Sequence, residues 1–401
     1  MHYFRALKIT DSILIPVSAS AVLIYLYLAY PYGSLWDMSV YLRAISDLSK
    51  GIDPYRINAG LPFVYHPLVL DSFAFLNRIA PLKAWLLVLY AMSSGWFVME
   101  VMKWLRTNAH ARTDRQTIRA DTGWRASGCA SLLSAAAFGG VGIVSVQSGN
   151  MTAFMHFALI AAFLRRSRSS ELLVRNFPFI LIAVLSVIKP YFLAYLLIPA
   201  SLHESNWKKV QGSALTIATF LLLWMPSRYF NPEAYSSYIG ALHYQMLDLG
   251  DVGYSFFMFY RRVVHNDLIA LTLHGITACA ALIMAVKVLP KKLETGENEG
   301  LVIFLLYSVL TLASPRMKEY DFFPAIICFF LFLKTVSGEA GTIVLIGLVF
   351  SWIPLMLSVL GTLGIAFHRI SGASTTWQFV GLAAVVMTFV FANSRPRIIR
   401  A

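Results

Sequence analysis

The sequence predicts an all-α polytopic membrane protein: a transmembrane bundle of about twelve helices with a long first extracytoplasmic loop, in one domain, residues 1–401. Three observations predict it. Of the 401 residues, 58% are hydrophobic and 13% charged, with a mean hydropathy of +0.66, too apolar for a water-soluble chain of ordinary composition. Apolar stretches of roughly the 20 residues a helical crossing needs recur from Ile13 to Phe391. Short basic clusters separate them, as insertion topology requires.

The elements follow in order. The first stretch, residues 13–30, comes after Arg5 and Lys8, carries Pro16, ends in Tyr30-Pro31-Tyr32 and has no small-residue cleavage site, so it reads as an anchor. Further basic clusters occur at 103–125, 165–175, Lys208-Lys209, 287–292, Lys334, and Arg395, Arg397 and Arg400. Keeping each on the cytoplasmic side, with both termini, predicts spans at 12–31, 84–105, 127–146, 151–164, 176–188, 191–201, 210–226, 267–288, 299–313, 320–334, 340–366 and 376–393. The expected location is a bacterial inner (plasma) membrane. Two consequences go beyond hydropathy. Residues 63–80 cannot complete a crossing without placing Arg106 to Arg125 outside, so they read as a re-entrant or surface segment. Lys189-Pro190 interrupts an apolar run, so 176–201 becomes two short helices meeting at the outer face. Broken helices of this kind are where polar sites are built in membranes.

Composition also excludes functions. The net charge of +13 is carried by short loops between spans, which topology explains without nucleic acid. Cys129, Cys279 and Cys328 fall in apolar stretches with no paired spacing and no histidine cluster, against a disulfide framework or a zinc site. There is no Walker loop and no dinucleotide fingerprint. No cofactor is indicated, and an activated substrate would be a lipid arriving within the membrane.

The residues with chemical potential lie on the predicted outer side. Asp37 follows Trp36 at the mouth of the first span, near Tyr41, where a carboxylate whose pKa is raised by burial can serve as a general base. Its structural alternative is a cap on a helix over 38–50. Asp53, in Gly51-Ile52-Asp53-Pro54-Tyr55, is a weaker binding candidate and a natural turn residue. Tyr65 and His66 stand in Tyr65-His66-Pro67. Lys189, within a long apolar run, is a functional candidate by default, with snorkelling as the alternative. Arg316 and Lys318, in Ser314 to Asp321, are cations on a side where topology does not expect them, which favours an anionic ligand unless Glu319 and Asp321 satisfy them locally. Arg316 is the better phosphate clamp, because its planar fork donates bidentately. Asn150, in the turn Gln147-Ser148-Gly149-Asn150, is a sugar hydrogen-bonding candidate or a plain turn. Tyr229, Tyr235, Tyr238, Tyr244 and Tyr254 read as an interfacial belt.

Taken together, Trp36-Asp37 with Tyr41 and Ala44, Gly51 to Tyr55, Tyr65-His66-Pro67, Gly149-Asn150, Ile188-Lys189-Pro190 and Ser314-Pro315 resemble, in order and spacing, the polytopic GT-C glycosyltransferases. The resemblance is nearest to the family 87 polyprenol-phosphate-dependent enzymes, which include mycobacterial α-mannosyltransferases. It covers most of the chain through short, dispersed motifs. Departures are His66 at a usual proline, Ser148-Gly149-Asn150 in place of a Gly-Gln-containing turn, and Glu319 where histidine is common. The resemblance implies an extracytoplasmic active site with Asp37 as general base and a polyprenyl-phosphate-linked hexose, often mannose, as donor to a lipid or glycan acceptor. Lys189, Arg316 and Lys318 would then hold the lipid phosphate. A transporter or flippase is the rival from another class, although the polar motifs do not recur in two halves. A lipid-linked glycan polymerase or ligase is the nearer rival, and would rely on Arg228, Arg261 and Arg262.

Overall fold

A computed structural model describes residues 35–57, 61–111, 148–202, 205–245, 253, 255–288 and 299–336. The predicted spans at 12–31, 127–146, 340–366 and 376–393 lie outside the described residues. Every regular element among the described residues is helical, and the one β-type contact is an isolated bridge between Gly253 and Met317.

The helices, in chain order, are α1 Trp36–Ser49, α2 Pro67–Ile79, α3 Leu82–Ala111, α4 Thr152–Arg166, α5 Leu172–Ile188, a 3-10 helix Pro190–Leu196, α6 Leu197–Ser201, α7 Asn206–Phe230, α8 Pro232–His243, α9 Phe256–Val264, α10 Asp267–Val288, α11 Glu299–Leu312 and α12 Glu319–Val336. Two helices, over Leu82–Trp104 and Asn206–Phe230, are long and apolar enough to cross a membrane, with 23 and 25 residues. At 1.5 Å per residue these reach about 35 Å, against about 30 Å of hydrocarbon. Helix α2 has 13 residues, about 20 Å, the length of an incomplete crossing. It begins at Pro67, whose missing N–H costs nothing in the first turn.

Helices α4 and α11 form the centre. Every residue of α11 from Gly300 to Leu312 is buried, and α4 is buried along nearly its whole length. Around them α3 packs on α4, α5 on α7, and α12 on both α4 and α11. The outer faces remain apolar: on α7, Trp207, Val210, Ile217, Leu221 and Leu222 are exposed.

The interruption at Lys189 is present. Proline after it disfavours the helical region for the preceding residue, and Lys189 is extended at φ −140° and ψ 106°. The chain resumes as a 3-10 helix with Pro190 in its first turn. The backbone thereby buries Lys189, with Tyr191 half-buried beside it.

Candidate functional site

Helix α1 positions Asp37. Leu35, just before the helix, takes the left-handed conformation at φ 71°, and the backbone N–H of Asp37 donates to the carbonyl of Ser148 at 2.9 Å. Asp37 therefore lies inside the first turn and does not cap the helix, so its carboxylate is available to side chains. The turn that receives it needs Gly149, whose φ is +66°, and a Cβ there would meet the Leu35 side chain at 3.0 Å.

Asn150, 5% exposed, donates from Nδ2 to Asp37 Oδ2 at 3.0 Å and to the Tyr65 hydroxyl at 3.3 Å. Its Oδ1 accepts from the backbone N–H of Thr152 at 2.9 Å, which fixes the amide's orientation. The Tyr65 hydroxyl in turn meets the Tyr41 hydroxyl at 3.0 Å, with the two rings edge to face at 5.4 Å. Asp37, Asn150, Tyr65 and Tyr41 thus form one hydrogen-bonded chain. Burial raises the Asp37 carboxyl from its ordinary value. The Asn150 hydrogen bond and the charges of Lys189, Lys318 and Arg316 pull it back.

Opposite stands Lys189, 7% exposed. Its ammonium lies 4.5 Å from the Tyr320 ring centroid and 5.9 Å from that of Tyr191. Among the described residues the one carboxylate within ion-pairing reach is Asp321, at 3.9 Å, too long for a direct hydrogen bond. Arg316 and Lys318 come from the loop before α12. Ser255 Oγ donates to the Pro315 carbonyl at 2.7 Å, and Ser314 Oγ donates to the Arg316 carbonyl at 2.7 Å. Gly253, at φ +69°, bridges to Met317, and a Cβ there would collide with the Met317 carbonyl. Lys189, Arg316 and Lys318 all act electrostatically on Asp37, and Arg316 and Lys318 act on Lys189.

The structure therefore brings together Asp37, Tyr41, Tyr65, Asn150, Lys189, Arg316 and Lys318. It separates two others. Asp53 is exposed, and its Oδ1 accepts the backbone N–H of Tyr55 at 2.9 Å; it is the turn residue and is not part of the cluster. His66 is fully buried against Trp224, with ring centroids 4.4 Å apart and Tyr235 and Tyr238 at its edges, so it packs α2 against α7 and α8. Burial lowers its pKa to about 4, which keeps the imidazole neutral in that cage. Tyr235 and Tyr238 belong to the same packing. Arg261 is held by Asp267 at 2.7 Å.

Sequence reasoning missed His156, Tyr191, Tyr307 and Tyr320, and treated Asp321 as a local partner of the loop cations. One signal was present: His156 is an ionisable ring within an otherwise apolar helix. Chemically, the described side chains gather three cations, Lys189, Arg316 and Lys318, around two carboxylates, Asp37 and Asp321. That is the composition of a site for an anionic group beside a base. No protein-family model matches the chain, and no curated protein matches it.

Proposed function

We propose that the chain is a membrane glycosyltransferase of the GT-C family 87 type, transferring a sugar, a hexose such as mannose, from a polyprenyl phosphate to a lipid or glycan acceptor on the extracytoplasmic face. In this reading the helices belong to a bundle of about twelve crossings in an inner membrane, with cytoplasmic termini and the Asp37 side outside. One observation carries the proposal: a buried ammonium, Lys189, whose carboxylate neighbour stands 3.9 Å away, shares a cluster with Arg316, Lys318 and a carboxylate that burial makes more basic.

The mechanism follows from that arrangement. The Asp37 carboxylate takes the proton of the acceptor hydroxyl as its oxygen attacks the anomeric carbon from the face opposite the phosphate. The bond from the anomeric carbon to the phosphate oxygen breaks, and its electron pair leaves with the polyprenyl phosphate. The configuration inverts in this single displacement. Lys189, Arg316 and Lys318 neutralise the charge that grows on the departing phosphate. Asn150 holds Asp37 Oδ2 toward one side, and Tyr65 and Tyr41 fix Asn150 from behind. Polar groups held by protein instead of by water keep the site preorganised.

Envelope glycolipids from cells lacking the chain should accumulate a precursor one sugar short. Purified Asp37→Asn protein should fold and bind the lipid donor but transfer sugar at a small fraction of the wild-type rate. An unchanged glycolipid profile, or wild-type transfer by Asp37→Asn, would overturn the proposal, and the first of these would favour a transporter.

A further inference from the structure

Behind the Asp37 cluster lies a second group of polar side chains to which the proposed reaction gives no role. At its hub is Asp321, 4% exposed. The Tyr191 hydroxyl donates to Asp321 Oδ1 at 2.5 Å, His156 Nε2 approaches the same oxygen at 3.4 Å, and the Lys189 ammonium stands 3.9 Å from it. The other oxygen, Oδ2, accepts the backbone N–H of Lys318 at 3.0 Å. His156 is fully buried in α4, and its Nδ1 meets the Tyr307 hydroxyl of α11 at 2.5 Å. Asp321, an acceptor, favours an Nε2–H on His156, and Tyr307 is placed to hydrogen-bond Nδ1.

Buried ionic networks are a weak source of stability, since well-packed apolar side chains of the same volume do as well or better. What distinguishes this one is what it joins. The cations of the cluster arrive on two segments far apart in sequence, the helix break at Lys189 and the loop carrying Arg316 and Lys318. Asp321 bonds to both: Oδ1 faces Lys189 and Tyr191 from the break, and Oδ2 holds the Lys318 backbone in the loop. One carboxylate thereby sets the separation of the cationic groups, and His156 sets the carboxylate.

Resting on the proposed function, we infer that Asp321 and His156 are positioning residues of the anion site, Asp321 spacing Lys189 from the Arg316–Lys318 loop and His156 fixing Asp321, so that the cluster fits the phosphate of an isoprenyl monophosphate. Neither residue touches the substrate. Their effect passes through the three cations.

The test uses the full chain in lipid nanodiscs and farnesyl phosphate as probe, with farnesol as the uncharged control, reading Kd and thermal unfolding together. The wild type should bind farnesyl phosphate and not farnesol. His156→Phe keeps the ring volume and loses both nitrogens, and Tyr191→Phe loses only the hydroxyl. Each should weaken binding roughly tenfold, the scale of one charge-assisted hydrogen bond. His156→Gln, whose amide replaces the Nε2–H donor, should return Kd to within about threefold of wild type. Unchanged Kd in Tyr191→Phe and His156→Phe, with wild-type binding intact, would overturn the positioning role while leaving the proposed function standing. So would a His156→Gln protein as weak as His156→Phe, because restoring the Nε2–H donor would then restore nothing. Should His156→Phe fail to fold, Tyr191→Phe decides alone. Absence of wild-type binding, or equal binding by Lys189→Met, would instead defeat the anion site itself, and the inference with it.

Discussion

Two buried carboxylates, Glu100 on α3 and Asp37 on α1, show how different uses of charge look in one molecule. Glu100 is 1% exposed and closed in by cations: the Arg168 guanidinium grips Oε2, and Lys103 reaches Oε1 at 3.2 Å. Arg168 also donates to the Glu100 carbonyl at 3.3 Å and from Nε to the Leu164 carbonyl at 3.0 Å, tying α3 to the end of α4. Each charge meets its opposite at hydrogen-bond range. Around Asp37 the arrangement differs. Its carboxylate has a neutral amide as hydrogen-bond donor, and its three cationic neighbours act through space. Lys189 is likewise beyond hydrogen-bond range of Asp321. A closed ion cluster such as that of Glu100 joins helices, whereas Lys189 stands beyond hydrogen-bond range of the carboxylate beside it.

Substitutions at the two carboxylates should break this comparison or sharpen it. The largest effect is expected at Asp37: Asp37→Asn keeps shape and the Asn150 contact but removes the base, and transfer should fall about 100- to 10,000-fold with unfolding temperature unchanged. Glu100→Gln should do the reverse. Leaving Arg168 short of its counter-charge should cost about 2 kcal/mol of stability, read as a lower unfolding temperature in detergent, while the folded protein keeps wild-type kinetics. A Glu100→Gln enzyme that folds normally and transfers poorly would erase the distinction. Next comes Lys189→Met, of similar volume and without charge. It should raise KM for the lipid donor about tenfold or more with a smaller change in kcat; it also leaves the buried Asp321 without its ammonium neighbour, so some loss of stability accompanies it and the KM change is the distinguishing readout. A lowered unfolding temperature with unchanged KM would make Lys189 structural, as Glu100 is.

Much of the scaffold was legible in the sequence. Apolar runs bounded by basic clusters located α3, α4, α5, α7, α10, α11 and α12, because burial in an apolar solvent writes itself into composition. The ends were less legible: the run at 210–226 became a helix from Asn206 to Phe230, since polar and aromatic residues continue the helix beyond the apolar stretch. The break at Lys189-Pro190 was legible because proline's effect is local. The partnership of Asp321 was not. Two residues after Glu319 it looked like a local counter-charge for Arg316 and Lys318, but its side chain meets His156, 165 residues earlier, and only helix packing decides that. Whether Asp37 capped its helix was illegible for a related reason. Whether a carboxylate at a helix start caps it depends on the preceding backbone, and Leu35 takes the left-handed conformation that leaves Asp37 one residue inside.

The smallest expected effect is the most specific, and it concerns proton affinity. Asn150 lowers the Asp37 pKa through its hydrogen bond, against a larger upward push from burial. As a base Asp37 works only when ionised, so activity is present above its pKa and lost as pH falls through it. With the pKa raised, that loss should begin at higher pH than for an exposed carboxylate near 4. Asn150→Ala removes the amide and keeps the burial, so the acid limb should move to still higher pH, with the lost rate recovered on raising the pH. A purely structural Asn150 would predict a uniform loss at every pH, because Ala would misplace Asp37 without altering its titration. The bound lipid phosphate supplies an internal control. Its negative charge offsets Lys189, Arg316 and Lys318, which otherwise favour ionised Asp37, so in the wild type the acid limb of kcat should lie above that of kcat/KM. At Glu100, enclosed by its own cations, no substitution should move either limb.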